Sequence, residues 1–148
     1  MPDQTCRVMT EVIELTIPSS LKYLKVAGEL LKGVASFASF DPGDVEDIWL
    51  AFHEVLVNAI RHGNREDANK RVFIRLGLAP RLIEIEVLDQ GRGFNPANLR
   101  LEPTPESVLQ DSGRGLFLVR HFMDSVTIDS RPGSPTRIRM TKRKPLRP

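Results

Sequence analysis

The sequence predicts an α+β fold, a two-layer α/β sandwich in which helices cover one face of a mostly antiparallel, mixed sheet. Its apolar patterns alternate between strand and helix periods in the order strand, two helices, two or three strands, an irregular segment, a helix and two strands. The helical patterns are segregated, and two strand patterns are separated only by a short turn. We therefore expect residues 1–148 to form one domain, with residues 142–148 as a basic tail.

The first strand and the first helix are predicted from residues 8 to 34. Apolar and polar side chains alternate over residues 8–17, as in a strand with one buried face. Pro18 ends this pattern, and Ser19 or Ser20 can cap the helix that follows. A helix of about five turns is expected. Its apolar positions include Leu21, Leu24, Leu30, Leu31 and Val34.

The second helix carries a polar pair in an apolar stretch. Asp44 is a suitable N-cap, the pattern runs to about His62, and Gly63 stands where a C-cap would stand. Glu54 and Asn58 are four residues apart and so face the same way, one turn above the other. Burying an unpaired amide costs about 1–3 kcal/mol, and burying a charge costs more. A satisfied buried contact or a ligand could supply the partners that this pair needs.

Two strand patterns, over residues 71–78 and 82–89, follow with a short turn between them, which predicts an antiparallel pair. Asp89 is in phase with Ile83, Ile85 and Val87. Because side chains alternate along a strand, this carboxylate should point toward the buried face at the strand's end. It is the second polar group that the pattern directs to the interior.

Residues 91–115 have no strong period and are rich in turn-forming residues. An irregular segment of this length within a compact domain is usually functional. A short apolar helix over residues 116–123 is expected to begin directly after Gly113 and Gly115. Strand patterns over residues 125–130 and 136–141 complete the domain.

The composition narrows the class of protein. The 41% hydrophobic and 27% charged residues are ordinary for a soluble globular domain, and a net charge of +2 gives no case for nucleic-acid or membrane binding. The single cysteine, Cys6, excludes an internal disulfide and favours a reducing compartment. The sequence has no apolar run of about 18 residues and no signal-peptide pattern, so a cytoplasmic protein is expected.

Three clusters suit a nucleotide when they are taken together. Asp89 can accept a hydrogen bond from an adenine amino group, and Gly91 and Gly93 let the backbone approach a base or sugar closely. Gly113 and Gly115 would leave backbone N–H groups at a helix N-terminus, where an anion is favoured.

The polar pair on the second helix would complete this site. Asn58 offers a neutral oxygen to a hard cation such as Mg2+, which keeps water and phosphate as its other ligands. Glu54 can then act as a base for an attacking hydroxyl. Taken alone, each of the three clusters also fits a plain structural role, as a buried pair, a turn or a flexible loop.

The three clusters resemble the nucleotide-binding boxes of a known superfamily. They are similar to the N, G1 and G2 boxes of the Bergerat-fold, histidine-kinase-like ATPases, in the forms Glu54-x3-Asn58, Asp89-x-Gly91-x-Gly93 and Gly113-x-Gly115-Leu116. Three further features most resemble the anti-sigma factor serine kinases: the ending His62-Gly63-Asn64, the Phe94 after the second box, and the run over residues 115–124. The resemblance spans roughly residues 10 to 141.

The resemblance implies ATP and Mg2+ as cofactors, with Glu54 as the catalytic base and Asn58 as the metal ligand. Asp89 would bind adenine, and the glycines of the third box would wrap the phosphates. The implied cofactor-binding residues are Asn58, His62, Asp89, Gly91, Gly93, Phe94, Gly113, Arg114, Gly115 and Leu116.

The resemblance also implies the partners. In that family the substrate is a serine on a STAS-type antagonist, the second partner is a sigma factor held inactive, and members commonly form homodimers. No nucleic-acid or membrane partner is expected. Two alternatives stay open: a nucleotide-controlled binding module that sequesters a partner without phosphoryl transfer, and an ATPase fragment that needs a separate histidine-bearing subunit.

Overall fold

The computed structural model describes residues 9–96 and 111–146, without the side chains of residues 111–114. In this part of the chain, three α-helices pack on a five-stranded sheet, which confirms the α+β class. The helices are α1 (Leu24–Phe37), α2 (Pro42–Asn58) and α3 (Asp111–Phe122). The strands are β1 (Glu11–Pro18), β2 (Arg71–Ala79), β3 (Leu82–Leu88), β4 (Ser125–Asp129) and β5 (Arg137–Arg143).

The strand order β1-β2-β3-β5-β4 places β3 in the middle of the sheet. Each neighbouring pair is antiparallel within the described residues. The last strand, β5, lies between β3 and the edge strand β4. Asp89, directly after β3, therefore lies at the end of the central strand, beside the segment that leads into β5.

The hydrophobic core lies between the helices and one face of the sheet. Ile83, Ile85 and Val87 are buried on this face with the apolar sides of the helices. Asp89 continues their phase and is 4% exposed, as its position in the pattern predicts. On the same strand Glu84 and Glu86 pair with Arg137 and Arg139 of β5. The alternation of β3 thus separates the core from a charged outer face.

The first two helices begin differently from the sequence prediction. A turn of 3-10 helix, Leu21–Tyr23, precedes α1. Helix α2 begins at Pro42, with Asp41 rather than Asp44 at the N-cap. Proline suits the first helical position because its fixed φ is already helical and it has no N–H group that would lack an acceptor. Asp44 lies in the first turn, where a carboxylate interacts favourably with the helix dipole.

Helix α2 does not end in a simple cap but continues into one π-helical turn, Ala59–Gly63. Asn64 follows as the capping residue in a right-handed conformation, and Gly63 does not have the positive φ of a glycine C-cap. The expectation that Gly63 caps the helix is therefore wrong. A π turn inserts an extra residue into the helix, and such turns are frequent at functional sites.

Helix α3 begins at Asp111, earlier than the expected start at Leu116. Gly113 consequently lies in its first turn, whose N–H groups have no acceptor within the helix, whereas Gly115 lies in the second turn. The remainder of the predicted irregular segment, residues 97–110, lies outside the described residues. None of the helices in the described ranges has the length and hydropathy of a membrane span.

Candidate functional site

A cavity of about 280 Å³ lies where α2 and its π turn meet the end of β3, the start of β5 and α3. Six of the sequence-predicted site residues line it: Asn58, His62, Asp89, Gly93, Phe94 and Leu116. Its other lining residues were not predicted to bind a ligand: Val55, Ala59, Gly63, Arg65, Val87, Arg92, Thr136 and Ile138. The walls are mostly apolar, with Asp89 as their one carboxylate among the described residues.

The Asp89 carboxylate is held in a fixed orientation. Its Oδ1 accepts hydrogen bonds from the backbone N–H groups of Gly91, at 2.8 Å, and Thr136, at 3.0 Å. The Asp89 N–H in turn donates to the Thr136 carbonyl oxygen at 3.1 Å. Within the described residues Oδ2 makes no hydrogen bond, and so it is the oxygen that a ligand can engage.

Two glycines let the π turn and the segment after β3 meet around this carboxylate. A Cβ on Gly63 would lie 2.1 Å from Asp89 Oδ2, and a Cβ on Gly91 would lie 2.2 Å from the Gly63 carbonyl oxygen. Both distances are far below van der Waals contact. Gly91 does not line the cavity. Its lack of a Cβ instead allows the chain after β3 to pass against the π turn. This contact, rather than helix termination, explains the glycine at position 63.

Gly93 has a different structural role. Its φ of +68° lies in the left-handed region, and a Cβ there would lie 2.1 Å from the Arg131 carbonyl oxygen and 2.2 Å from that of Ser134. Next to it, the Phe94 N–H donates to Ser130 Oγ at 3.0 Å. The segment after β3 is thus packed against the connection between β4 and β5. This contact fixes one side of the cavity.

A buried asparagine ties the π turn to the sheet. Asn64 is fully buried; its Nδ2 donates to the Arg71 carbonyl oxygen at 2.9 Å, and its Oδ1 accepts from the Gln90 N–H at 2.7 Å. The Gln90 side chain completes the link, because its Oε1 accepts from the Arg71 N–H at 2.7 Å. The sequence pattern alone gives Asn64 no role of its own. It supports the site without lining the cavity.

Thr136 is the site residue that sequence reasoning missed most clearly. It is buried, it exchanges backbone hydrogen bonds with Asp89, and its hydroxyl lies 2.8 Å from Ser130 Oγ. From the sequence, Thr136 was predicted only to begin a strand, and nothing in the pattern indicated a role in a site. The strand order brings it beside Asp89, and that order follows from tertiary structure rather than from the sequence of either strand.

Glu54 lies outside the cavity wall. It lines an adjacent groove of about 440 Å³, whereas Asn58 and His62 line both the groove and the cavity. Gly115 brings α3 onto the polar pair, since a Cβ there would lie 2.9 Å from Glu54 Oε2 and 3.3 Å from Asn58 Nδ2. The predicted site is thus divided into two compartments with a shared wall.

The third box is described only in part. The backbone of Gly113 and Arg114 lies in the first turn of α3, but their side chains are outside the described part of the chain. Across the described residues, no three His, Cys, Asp or Glu side chains are grouped as in a metal site. A cation at Asn58 would therefore depend on ligand and water oxygens for most of its coordination.

Comparison with known proteins identifies the family. Residues 17–142 match the sequence profile of the histidine kinase-like ATPase domain. The chain belongs to the histidine kinase-like ATPase family. Within this family its relatives include the serine-protein kinase RsbW of Oceanobacillus iheyensis, 32% identical over 129 residues that cover 83% of this chain and 82% of the relative. RsbW of Bacillus subtilis is 32% identical over 138 residues, covering 89% and 85%. The resemblance noted in the sequence is confirmed.

Solved structures of this ATPase family share the fold. The crystal structure of the RsbU and RsbW domains of a Mycobacterium tuberculosis protein matches with a TM-score of 0.67 and 20% identity, covering 93% of this chain and 34% of that one. The histidine kinase domain of a blue-light activated kinase from Erythrobacter litoralis matches with a TM-score of 0.55 and 18% identity, covering 86% and 61%. At these identities the likeness supports the fold alone.

Proposed function

We propose that the protein is an ATP- and Mg2+-dependent serine protein kinase and anti-sigma factor. It binds a sigma factor, phosphorylates a serine of a STAS-type antagonist in a partner-switching pathway, and acts as a homodimer. Membership of the ATPase family and the relatives named serine-protein kinase RsbW support the general activity. The sigma factor and the STAS antagonist follow from the resemblance to the anti-sigma factor serine kinases.

The observation that carries the proposal is the orientation of Asp89. Its Oδ1 is satisfied by two backbone N–H groups, and its Oδ2 remains free for a ligand in a mostly apolar cavity. A flat base with an exocyclic amino group fits this combination, because the ring meets apolar walls and the amino group meets a fixed acceptor. Adenine has that chemistry, and so the cavity is assigned to the adenine nucleotide.

Positive charges favour the phosphates of the same ligand. Arg65 and Arg92 line the cavity and are opposite in charge to a nucleotide. The first turn of α3 contains Gly113 and has N–H groups without helical acceptors. Asn58, on the wall shared by the two compartments, fits a Mg2+ ion that takes its remaining oxygens from phosphate and water. The bound ion would neutralise charge that develops on the phosphates.

Glu54 is the proposed general base. Its carboxylate accepts the proton of the serine hydroxyl while the serine oxygen bonds to the γ-phosphorus of ATP. The bond from that phosphorus to the bridging oxygen breaks, and ADP leaves with the electron pair. The half-buried position of Glu54 beside Asn58, with Gly115 packed against both, supports this role.

The test compares the wild type with Glu54→Gln. The substituted amide keeps the size of the side chain but cannot accept the proton, so transfer from labelled ATP to the serine of a STAS-domain protein should fall by at least about a hundredfold. ATP affinity, measured by calorimetry, should change little because Glu54 does not line the nucleotide cavity. If the wild type binds ATP and the STAS protein yet forms no phosphoserine, the kinase proposal is wrong.

The same experiment separates the two alternatives. A nucleotide-controlled binding module would show ATP-dependent capture of its partner that Glu54→Gln leaves unchanged, without phosphoserine in either protein. An ATPase subunit for a separate histidine-bearing partner would place the phosphate on histidine, which mass spectrometry at alkaline pH distinguishes from phosphoserine.

A further inference from the structure

The groove beside Glu54 has a mixed lining that the nucleotide assignment does not explain. It lies between the start of α1, one side of α2 with its π turn, and α3. Leu24, Val57 and Leu118 give it apolar walls, and Arg61 stands at its side on the π turn. Glu54 is its one carboxylate among the described lining residues.

We propose that this groove binds the acceptor segment of the protein substrate and that Arg61 selects that segment by charge. The expected segment carries a serine, an acidic residue next to it, and apolar side chains that pack against the apolar walls. This inference rests on the proposed kinase function and adds the chemistry by which the substrate is recognised.

The division of the site supports this occupant. Glu54 lines the groove but not the nucleotide cavity, so the group that it deprotonates must approach from the groove side. Asn58 and His62 form the wall common to both compartments. A hydroxyl held at Glu54 would therefore lie beside the boundary of the nucleotide cavity, where phosphoryl transfer requires it.

The positive charge of Arg61 favours an acidic residue on its side of the groove. Arg61 is exposed and makes no ion pair within the described residues, and in particular none with Glu54. By contrast, Arg137 and Arg139 on the sheet are both paired with glutamates. The imidazoles of His53 and His62 also line the groove. An acidic residue beside the serine would pair with Arg61, whereas a basic residue would be repelled.

The test uses short synthetic peptides with one central serine between leucines, differing only in an Asp or a Lys next to the serine. Steady-state transfer from labelled ATP is measured for the wild type, Arg61→Gln, Arg61→Glu and the control Arg120→Glu. Arg120 is also exposed but lies on α3 and does not line the groove. The control thus makes the same charge change at another site.

The wild type should show a KM about fivefold lower for the Asp peptide than for the Lys peptide, as expected of a solvent-exposed charge pair. Arg61→Gln should abolish this preference, Arg61→Glu should reverse it, and Arg120→Glu should keep it. The KM for ATP should stay the same in all four proteins. Because the pair is exposed, the preference should also shrink as salt is raised from about 0.05 to about 0.5 M.

Each contrary result has a distinct meaning. An Asp preference that persists in Arg61→Glu, or a STAS protein phosphorylated while neither peptide is, overturns the groove assignment but leaves the kinase proposal intact. An equal rise in the KM for ATP in both Arg61 variants would assign Arg61 to the nucleotide instead. Loss of self-association in Arg61→Glu with unchanged peptide preference would assign the groove to a second copy of the chain. No transfer to any acceptor refutes the kinase function itself.

Discussion

Gly63 and Asp89 are in direct contact in the wall of the cavity, so that a Cβ on Gly63 would lie 2.1 Å from Asp89 Oδ2. One residue ends a helix and the other follows the central strand. Their contact makes the orientation of the carboxylate depend on the absence of a single methyl group. The helix that carries Glu54 and Asn58 is thereby positioned against the group that is proposed to recognise the base.

Gly63→Ala tests this dependence. The added Cβ would also lie 2.6 Å from Asp89 Cγ, so the whole side chain must rotate and lose its hydrogen bonds to Gly91 and Thr136. We expect at least a tenfold loss of ATP affinity, which is about 1.4 kcal/mol, by calorimetry. The free energy of unfolding should also fall by about 1–3 kcal/mol.

The matched control is Gly33→Ala. Gly33 is an exposed residue within α1, and a Cβ there would meet nothing within 4 Å. Alanine should stabilise the protein by about 0.5–1 kcal/mol because it is the better helix former. ATP affinity should be unchanged. Equal ATP affinity in the two alanine variants would contradict the proposed contact between position 63 and the base-binding carboxylate.

A second pair of glycines separates backbone strain from steric clash. Gly93 and Gly133 both have positive φ, +68° and +87°. A Cβ at Gly93 would lie 2.1 and 2.2 Å from two carbonyl oxygens, whereas at Gly133 it would meet nothing within 4 Å. Gly133→Ala should therefore cost about 1 kcal/mol from conformation alone, and Gly93→Ala should cost about 1–3 kcal/mol more, since backbone atoms must move. Urea denaturation of the two variants measures the difference; equal costs would show that the segment after β3 is not packed as described.

Local patterns predicted the parts of the site that lie on single elements. The period of β3 placed Asp89 on the buried face, and the helical spacing placed Glu54 and Asn58 one turn apart. Thr136 could not be found in this way, because it meets Asp89 only through the pairing of β3 with β5. The same limit applies to Asn64, whose partners are backbone groups of Arg71 and Gln90 in other parts of the chain.

The sequence correctly singled out Gly63 and Gly115, but it predicted helix-end roles that the structure does not give them. Glycine after a helical pattern favours a left-handed cap, but Gly63 lies in a π turn without positive φ and is required by contact with Asp89. Gly115 suggested a helix start, but α3 begins at Asp111 and Gly115 instead packs against Glu54. Close approach between elements depends on tertiary packing, which a local pattern does not contain.

Asn64→Ala should strongly destabilise the protein. The substitution leaves the Gln90 N–H and the Arg71 carbonyl oxygen without their side-chain partner in a partly buried region. An unsatisfied buried group costs about 1–3 kcal/mol, so we expect a loss of about 2–4 kcal/mol in urea denaturation. Asn69→Ala is the control, because Asn69 is exposed and donates to Asp67 through its backbone N–H, which alanine keeps. That change should stay within about 0.5 kcal/mol; similar losses for the two asparagines would exclude a structural link through Asn64.

Asp89→Asn provides a test of base recognition that does not depend on catalysis. The amide oxygen can keep both hydrogen bonds of Oδ1, from Gly91 and Thr136, and the amide nitrogen then replaces Oδ2 toward the cavity. An adenine amino group would face a donor instead of an acceptor, so ATP affinity should fall about tenfold or more. Inosine triphosphate carries an oxygen at that position and should bind the variant more tightly than it binds the wild type.

The ratio of the two affinities is the informative quantity, because a general loss of folding or of phosphate binding would weaken both nucleotides together. Calorimetry with ATP and inosine triphosphate on the wild type and Asp89→Asn gives this ratio directly. A variant that keeps the wild-type preference for ATP would show that Asp89 supports the cavity without reading the base. The two backbone hydrogen bonds to Oδ1 would then be its whole contribution, and the assignment of Asp89 as the acceptor of the adenine amino group would be wrong.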